Sequence, residues 1–156
     1  MKWLVLASAL TLASCGGAHV VAGDLGAQPE GVARICVVRP ASEASDATMI
    51  VRDNGRLVGA TRGRTYVCWL AAPGAHQLTS DDDDTGPTLF RAEAGARYWL
   101  HQEVFEVGGM AHAHLDWIDE ESAREKMESC DERVRVAVPG HDDHPSAQPV
   151  VPATRM

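Results

Sequence analysis

The sequence predicts an all-β fold: a small antiparallel β-sandwich of about seven to eight strands with one short C-terminal helix. Three observations lead there. Turn signals recur at roughly 8–12 residue intervals from residue 33 to residue 118. The stretches between them are dense in β-branched and aromatic residues, which suit a pleated, half-buried surface. None of those stretches carries the helical pattern that a parallel βαβ sheet requires between its strands.

The elements follow in order. ARICVVR (33–39) and ATMIVR (47–52) read as strands, and Asp53-Asn54-Gly55 closes the second into a hairpin. Asn-Gly supplies the two positive φ angles that a type I′ turn demands. RLVGAT leads to Gly63, and RTYVCWLA runs to Pro73-Gly74, a type II turn pair. AHQLTS enters the acidic loop DDDDTGP and TLFRAE leaves it. Ala94-Gly95 turns into ARYWLHQEVF, and Gly108-Gly109 turns into AHAHLDWI across a five-residue loop, EVGGM, that leaves the register open. DEESAREKMESC (119–130) is the helix, with Asp119 as its cap, Glu120 and Glu121 at the positive end, and Ala123 and Met127 spaced to face the sheet. ERVRVAV then reads as a last edge strand.

The two ends differ in texture from this body. Lys2 followed by the apolar run Trp3 to Leu12 is too short for a membrane span, which needs about 20 residues, and reads as a secretory signal peptide. Leu12-Ala13-Ser14-Cys15 resembles the bacterial lipoprotein signal, in which small residues pass the peptidase and the cysteine thiolate takes the lipid. That resemblance implies a signal peptide over 1–14, a mature chain beginning at acylated Cys15, and attachment to the membrane through the lipid. Gly16 stands where Asp would favour inner-membrane retention, so the outer membrane is the expected destination. Residues 15–32 read as the lipidated end and a flexible tether, 33–138 as the sandwich, and 139–156 as a disordered Pro-rich tail.

Loss of Lys2 with residues 1–14 takes the net charge from −8 to −9 over the remaining 142 residues, enough for one domain. So acidic a chain argues against nucleic acid as a partner. Besides Cys15 there are Cys36, Cys68 and Cys130, of which two can pair in an oxidising envelope. The spacing leaves three pairings open. Cys36 and Cys68, both in core strands, are the favoured pair, against the alternative of three buried thiols acting as small hydrophobes.

VVRPAS (37–42), VRDNGRLVG (51–59), TYVCWLAAPGAHQLTS (65–80), AEAGARYWL (92–100) and LDWIDEESAREKM (115–127) together resemble bacterial lipoprotein domains catalogued as domain of unknown function 2846. The middle portion is similar to the PEGA-type β-sandwich module of bacterial surface proteins. The resemblance covers about residues 33–130 and implies an envelope sandwich with no catalytic residues to carry over. The acidic loop, the Cys36 and Cys68 pair and the Pro-rich tail depart from the pattern.

The chemistry-bearing residues are few. In AHAHLDWI, His112, His114 and Asp116 alternate onto one face. The plain reading is a solvated strand face. The alternative is an envelope zinc or copper site on His112 and His114, which as i and i+2 neighbours can reach one ion, completed from the preceding strand by His101 or Glu103. His112 and Asp116 lie about 13 Å apart along a strand, too far to share that ion. Asp81 to Asp84 lack the ligand spacing of a calcium loop and read as a solvated tip. His141-Asp142-Asp143-His144 is a weak metal candidate in the tail, and His76 reads as a polar residue beside a turn. The tyrosines, phenylalanines and strand tryptophans read as core rather than as a sugar-stacking platform. Hydrolase, phosphate-loop and dinucleotide fingerprints are absent from the sequence. The resulting expectation is a non-enzymatic, lipid-anchored envelope protein without a cofactor, acting on an envelope protein partner by interaction or as structure.

Overall fold

The computed structural model describes residues 20–22, 27–42, 44, 46–83, 85–130, 132–136, 150–151 and 153–154. Among these, the strands are β1 (Val20–Ala22), β2 (Ala33–Arg39), β3 (Met49–Asp53), β4 (Arg56–Thr61), β5 (Thr65–Ala71), β6 (Gly74–Ser80), β7 (Thr88–Ala92), β8 (Arg97–Val107), β9 (Met110–Trp117), β10 (Glu132–Val136) and β11 (Val150–Val151). The helix α1 spans Glu120–Glu128. A larger sheet runs β1-β10-β5-β2-β8-β9, with β11 also on β5, and a smaller one runs β4-β3-β6-β7. The fold is the all-β sandwich that the turn spacing predicts.

Alternation explains the inner layer. Ile35, Val37, Val67, Trp69, Leu100 and Leu115 of the large sheet meet Val51, Val58, Leu78 and Ala92 of the small one. The outer face of the large sheet is apolar as well: Cys36, Val38, Cys68 and Trp99 are covered by Ala123 and Met127 of α1. Strand β2, covered on both sides, is buried at every position and has lost all alternation. Asp119 caps α1 by accepting a hydrogen bond from the Ser122 amide. Cys36 and Cys68 sit opposite each other on β2 and β5 and are joined by a disulfide.

Four expectations need correction. The sheet is not purely antiparallel: β8 runs parallel to β2, and β10 and β11 run parallel to β5. The chain returns from β2 to β8 by passing twice through the opposite sheet, as β3-β4 before β5 and as β6-β7 after it, and these strands do the work that a crossover helix does in βαβ units. ERVRVAV does not form an edge, since β10 lies between β1 and β5. Part of the expected tether is structured, because Val20–Ala22 pairs with β10 and the Gln28 amide donates to the Val32 and Ala96 carbonyls. Part of the expected tail is structured too, since β11 pairs with β5 and Thr154 bridges to Ala75.

Polar side chains tie the layers together. The buried Arg39 guanidinium donates to the carbonyls of Ala44, Ala47 and Thr61, fixing the chain that leaves β2. Gln102 of β8 bonds Thr61 of β4 and, at 2.7 Å, Ser80 of β6. Gly59 lies at a bulge in β4, where an added Cβ would collide with a Val67 methyl.

Candidate functional site

The β8–β9 hairpin carries the residues singled out by the sequence. Its turn is tighter than EVGGM suggests: Val107 pairs with Met110, and only Gly108 and Gly109 lie between, at φ 61° and 81°. Two positive φ angles make this a type I′ turn, and it fixes the register. Glu103 therefore stands opposite His114, His101 opposite Asp116, and Phe105 opposite His112. All six occupy the outer face of the large sheet, beyond the part that α1 covers.

His114 is the centre of this face. Its Nε2 lies 3.1 Å from Glu103 Oε2 and 3.0 Å from Asp116 Oδ2. One donor atom from each of the three falls within 4.8 Å of the others. Nδ1 of His114 is buried without a partner, so the ring proton belongs on Nε2, where two acceptors meet it. The expected pairing of His112 with His114 is not what the hairpin builds. His112 stacks on Phe105, with ring centroids 5.9 Å apart, because its cross-strand neighbour is aromatic, whereas that of His114 is a carboxylate. The tilted Phe105 ring also lies 5.7 Å from His114 and walls that side of the cluster.

His101 is the fourth corner. Burial, and then the charge of Lys126, push its pKa below the usual value, against the opposing pull of Glu103 and Asp116, and keep the imidazole neutral. It faces a groove of about 470 Å³ lined by Pro40, Ala41, Glu103, Phe105 and Lys126. Asp81 and Asp82 sit apart from this cluster, and the loop they belong to crosses the outer edge of β9, where the Ala113 amide donates to the Asp82 carbonyl. Asp83 accepts from the Thr85 amide and hydroxyl, and Asp84 lies outside the described residues. Cys15, His141 and His144 lie outside them as well.

A second cluster escaped the sequence reading. Asp53, the last residue of β3, and His76 of β6 are both completely buried. His76 Nδ1 lies 2.8 Å from Asp53 Oδ1, and its Nε2 lies 2.8 Å from the Ala72 carbonyl. Trp69 of the opposite sheet donates its Nε1–H to Asp53 at 2.9 Å. Burial opposes a charged imidazole, yet the hydrogen bonds to Asp53 and Ala72 and the charge of Asp53 outweigh it, so the His76 pKa is raised. Acceptors at both nitrogens favour the protonated ring. The signal was in the alternation: Asp53 shares a face with Met49 and Val51, and His76 shares one with Leu78 and Ser80. Period two aims both inward.

Of the tryptophans, Trp69 and Trp99 belong to the core, whereas Trp117 is 46% exposed and leans on Phe90 and Tyr98 at the side of the sandwich. Among the described residues, no helix is long and apolar enough to cross a membrane. No family model, curated protein or solved structure matches the chain.

Proposed function

We propose that this chain is a lipid-anchored protein of the bacterial cell envelope, tethered through Cys15 and placed at the outer membrane. Its sandwich, of the domain of unknown function 2846 type, is a non-catalytic module for interaction or structure. The disulfide between β2 and β5 carries the reading, because such bonds persist in oxidising compartments and are reduced in the cytosol. It supports independently what the Leu-Ala-Ser-Cys pattern implies for the N-terminus.

The non-catalytic part of the reading is supported by burial. The Asp53–His76 pair has the contacts of a base and its orienting carboxylate, but both side chains are completely buried and His76 spends both nitrogens on protein acceptors. It is a strut. The surface offers edges instead. The acidic loop obstructs β9 at Ala113, and β7 is the end strand of the small sheet, with Leu89 exposed on its outer face. A partner chain adding a strand there gains main-chain hydrogen bonds and apolar contact together.

Cell fractionation with crosslinking tests this. The wild-type chain should pellet with membranes and Cys15→Ser should not, and crosslinked wild type should capture a defined envelope protein. A Cys15→Ser chain that still pellets, or turnover of a cell-wall substrate by the purified protein, contradicts the reading.

A further inference from the structure

We propose that the outer face of the β8–β9 hairpin is a zinc-class divalent metal site, with Glu103, His114 and Asp116 as ligands. The proposal does not rest on the anchoring reading. It rests on where the pairing register puts four donors. Residues 101 and 103 of β8 and 114 and 116 of β9 form two cross-strand pairs on one face, His101 with Asp116 and Glu103 with His114. Cross-strand neighbours have Cβ atoms about 4.5–5.5 Å apart, and i, i+2 neighbours on one strand are about 7 Å apart. Side chains from three or four such corners can therefore aim at a common centre above the sheet. Three of them already do, with donor atoms mutually within 4.8 Å.

The donor set suits zinc. One imidazole nitrogen and two carboxylate oxygens are among the ordinary zinc ligands, at about 2.0–2.2 Å from the ion. Donors at those bond lengths in a tetrahedron are about 3.4 Å from one another, close to the 3.0 and 3.1 Å that already separate Nε2 from its two carboxylate neighbours. Small outward shifts of exposed carboxylates make the fit. The hairpin is a firm support, closed by a two-residue turn and paired along its length. The fourth position opens beside the groove in front of His101, whose imidazole lies on the same face, outside the three-donor cluster. It is taken by water or, after a change of rotamer, by His101.

Proton bookkeeping follows from the geometry. Zinc takes the Nε2 lone pair, so the proton that Nε2 directs at the two carboxylates must move to Nδ1, and a ring that carries one proton releases none on balance. The remaining N–H must then sit on Nδ1, which is buried without a partner. Metal-bound histidines ordinarily donate that N–H to an acceptor, and loss of such a contact costs about 10–100-fold in affinity. The site accordingly holds its ion about 10–100-fold more weakly than one whose histidine keeps that contact.

Calorimetric titration of the purified full chain with zinc chloride tests this, run in two buffers of different ionisation enthalpy to count protons. The expected result is one equivalent bound at about micromolar Kd with no net proton release, and so the same heat in both buffers. His114→Ala should abolish the binding, and Glu103→Gln and Asp116→Asn should each weaken it about tenfold or more. His112→Ala should leave it within about twofold, since that ring stacks on Phe105. Circular dichroism of each variant verifies the fold. No heat up to about 100 μM zinc, unchanged binding in His114→Ala, or loss of binding on His141→Ala/His144→Ala overturns the assignment.

Discussion

His76 shows how a residue can satisfy every local rule and still be misjudged from sequence. It follows Pro-Gly, where polar side chains usually reach solvent, yet β6 turns it inward onto Asp53. The inward aim was legible in the alternation of both strands, but their pairing partners were not, because β3 and β6 are neighbours only through the topology of the small sheet. The same holds for His114. Its face was legible from AHAHLDWI, whereas its partner Glu103 depended on a turn whose length decides the register. The raised pKa of the buried imidazole has a consequence for stability. Its folded pKa lies above the unfolded value of 6.5, so its stabilising contribution is complete below that pH and is lost as pH rises through the folded value. Thermal unfolding should therefore show a melting temperature that falls as the solution is made more alkaline from pH 6. His76→Gln, which keeps a donor towards Asp53 but does not titrate, should flatten that fall. An unchanged slope in the variant would assign the pH dependence to other groups.

Among the elements, hairpins were legible and crossovers were not. Asn54 and Gly55 adopt φ 51° and 76°, as the Asn-Gly pair requires, and the Asn54 side chain accepts from the Gln77 amide to pin the turn onto β6. Helix α1 was legible from its cap and charge order. The parallel pairing of β2 with β8 was not, because nothing local to either strand records that the chain between them passes through the other sheet. Strand assignment alone only favours pairing of Cys36 with Cys68, and the antiparallel register of β2 and β5 gives the bond its geometry. The bond closes a separation of 32 residues that contains β3 and β4, so its removal should free much of the small sheet in the unfolded chain. Cys36→Ala/Cys68→Ala should lower unfolding free energy by about 3–4 kcal/mol, read from urea denaturation monitored by tryptophan fluorescence. A loss under about 1 kcal/mol would mean that packing beneath α1 holds these strands without the bond.

The whole molecule has three layers: a small sheet, a large sheet and a short helix that covers only part of the outer face. That partial cover has a physical result. The strands beneath α1 carry cysteines, valine and tryptophan outward, while the hairpin extending past it carries histidines and carboxylates. One sheet thus contributes both a buried wall and a polar face, and the wall sits where an oxidised pair is protected from solvent. In the function proposed above, this assembly sits beyond the cytoplasm on a lipid tether, and the first mature residue is the place to test it. Mass spectrometry of the N-terminal peptide from membranes should find Cys15 as the first residue, carrying a diacylglyceryl group. Recovery of that peptide with an unmodified Cys15 thiol, or of a chain still beginning at Met1 in the soluble fraction, would contradict it.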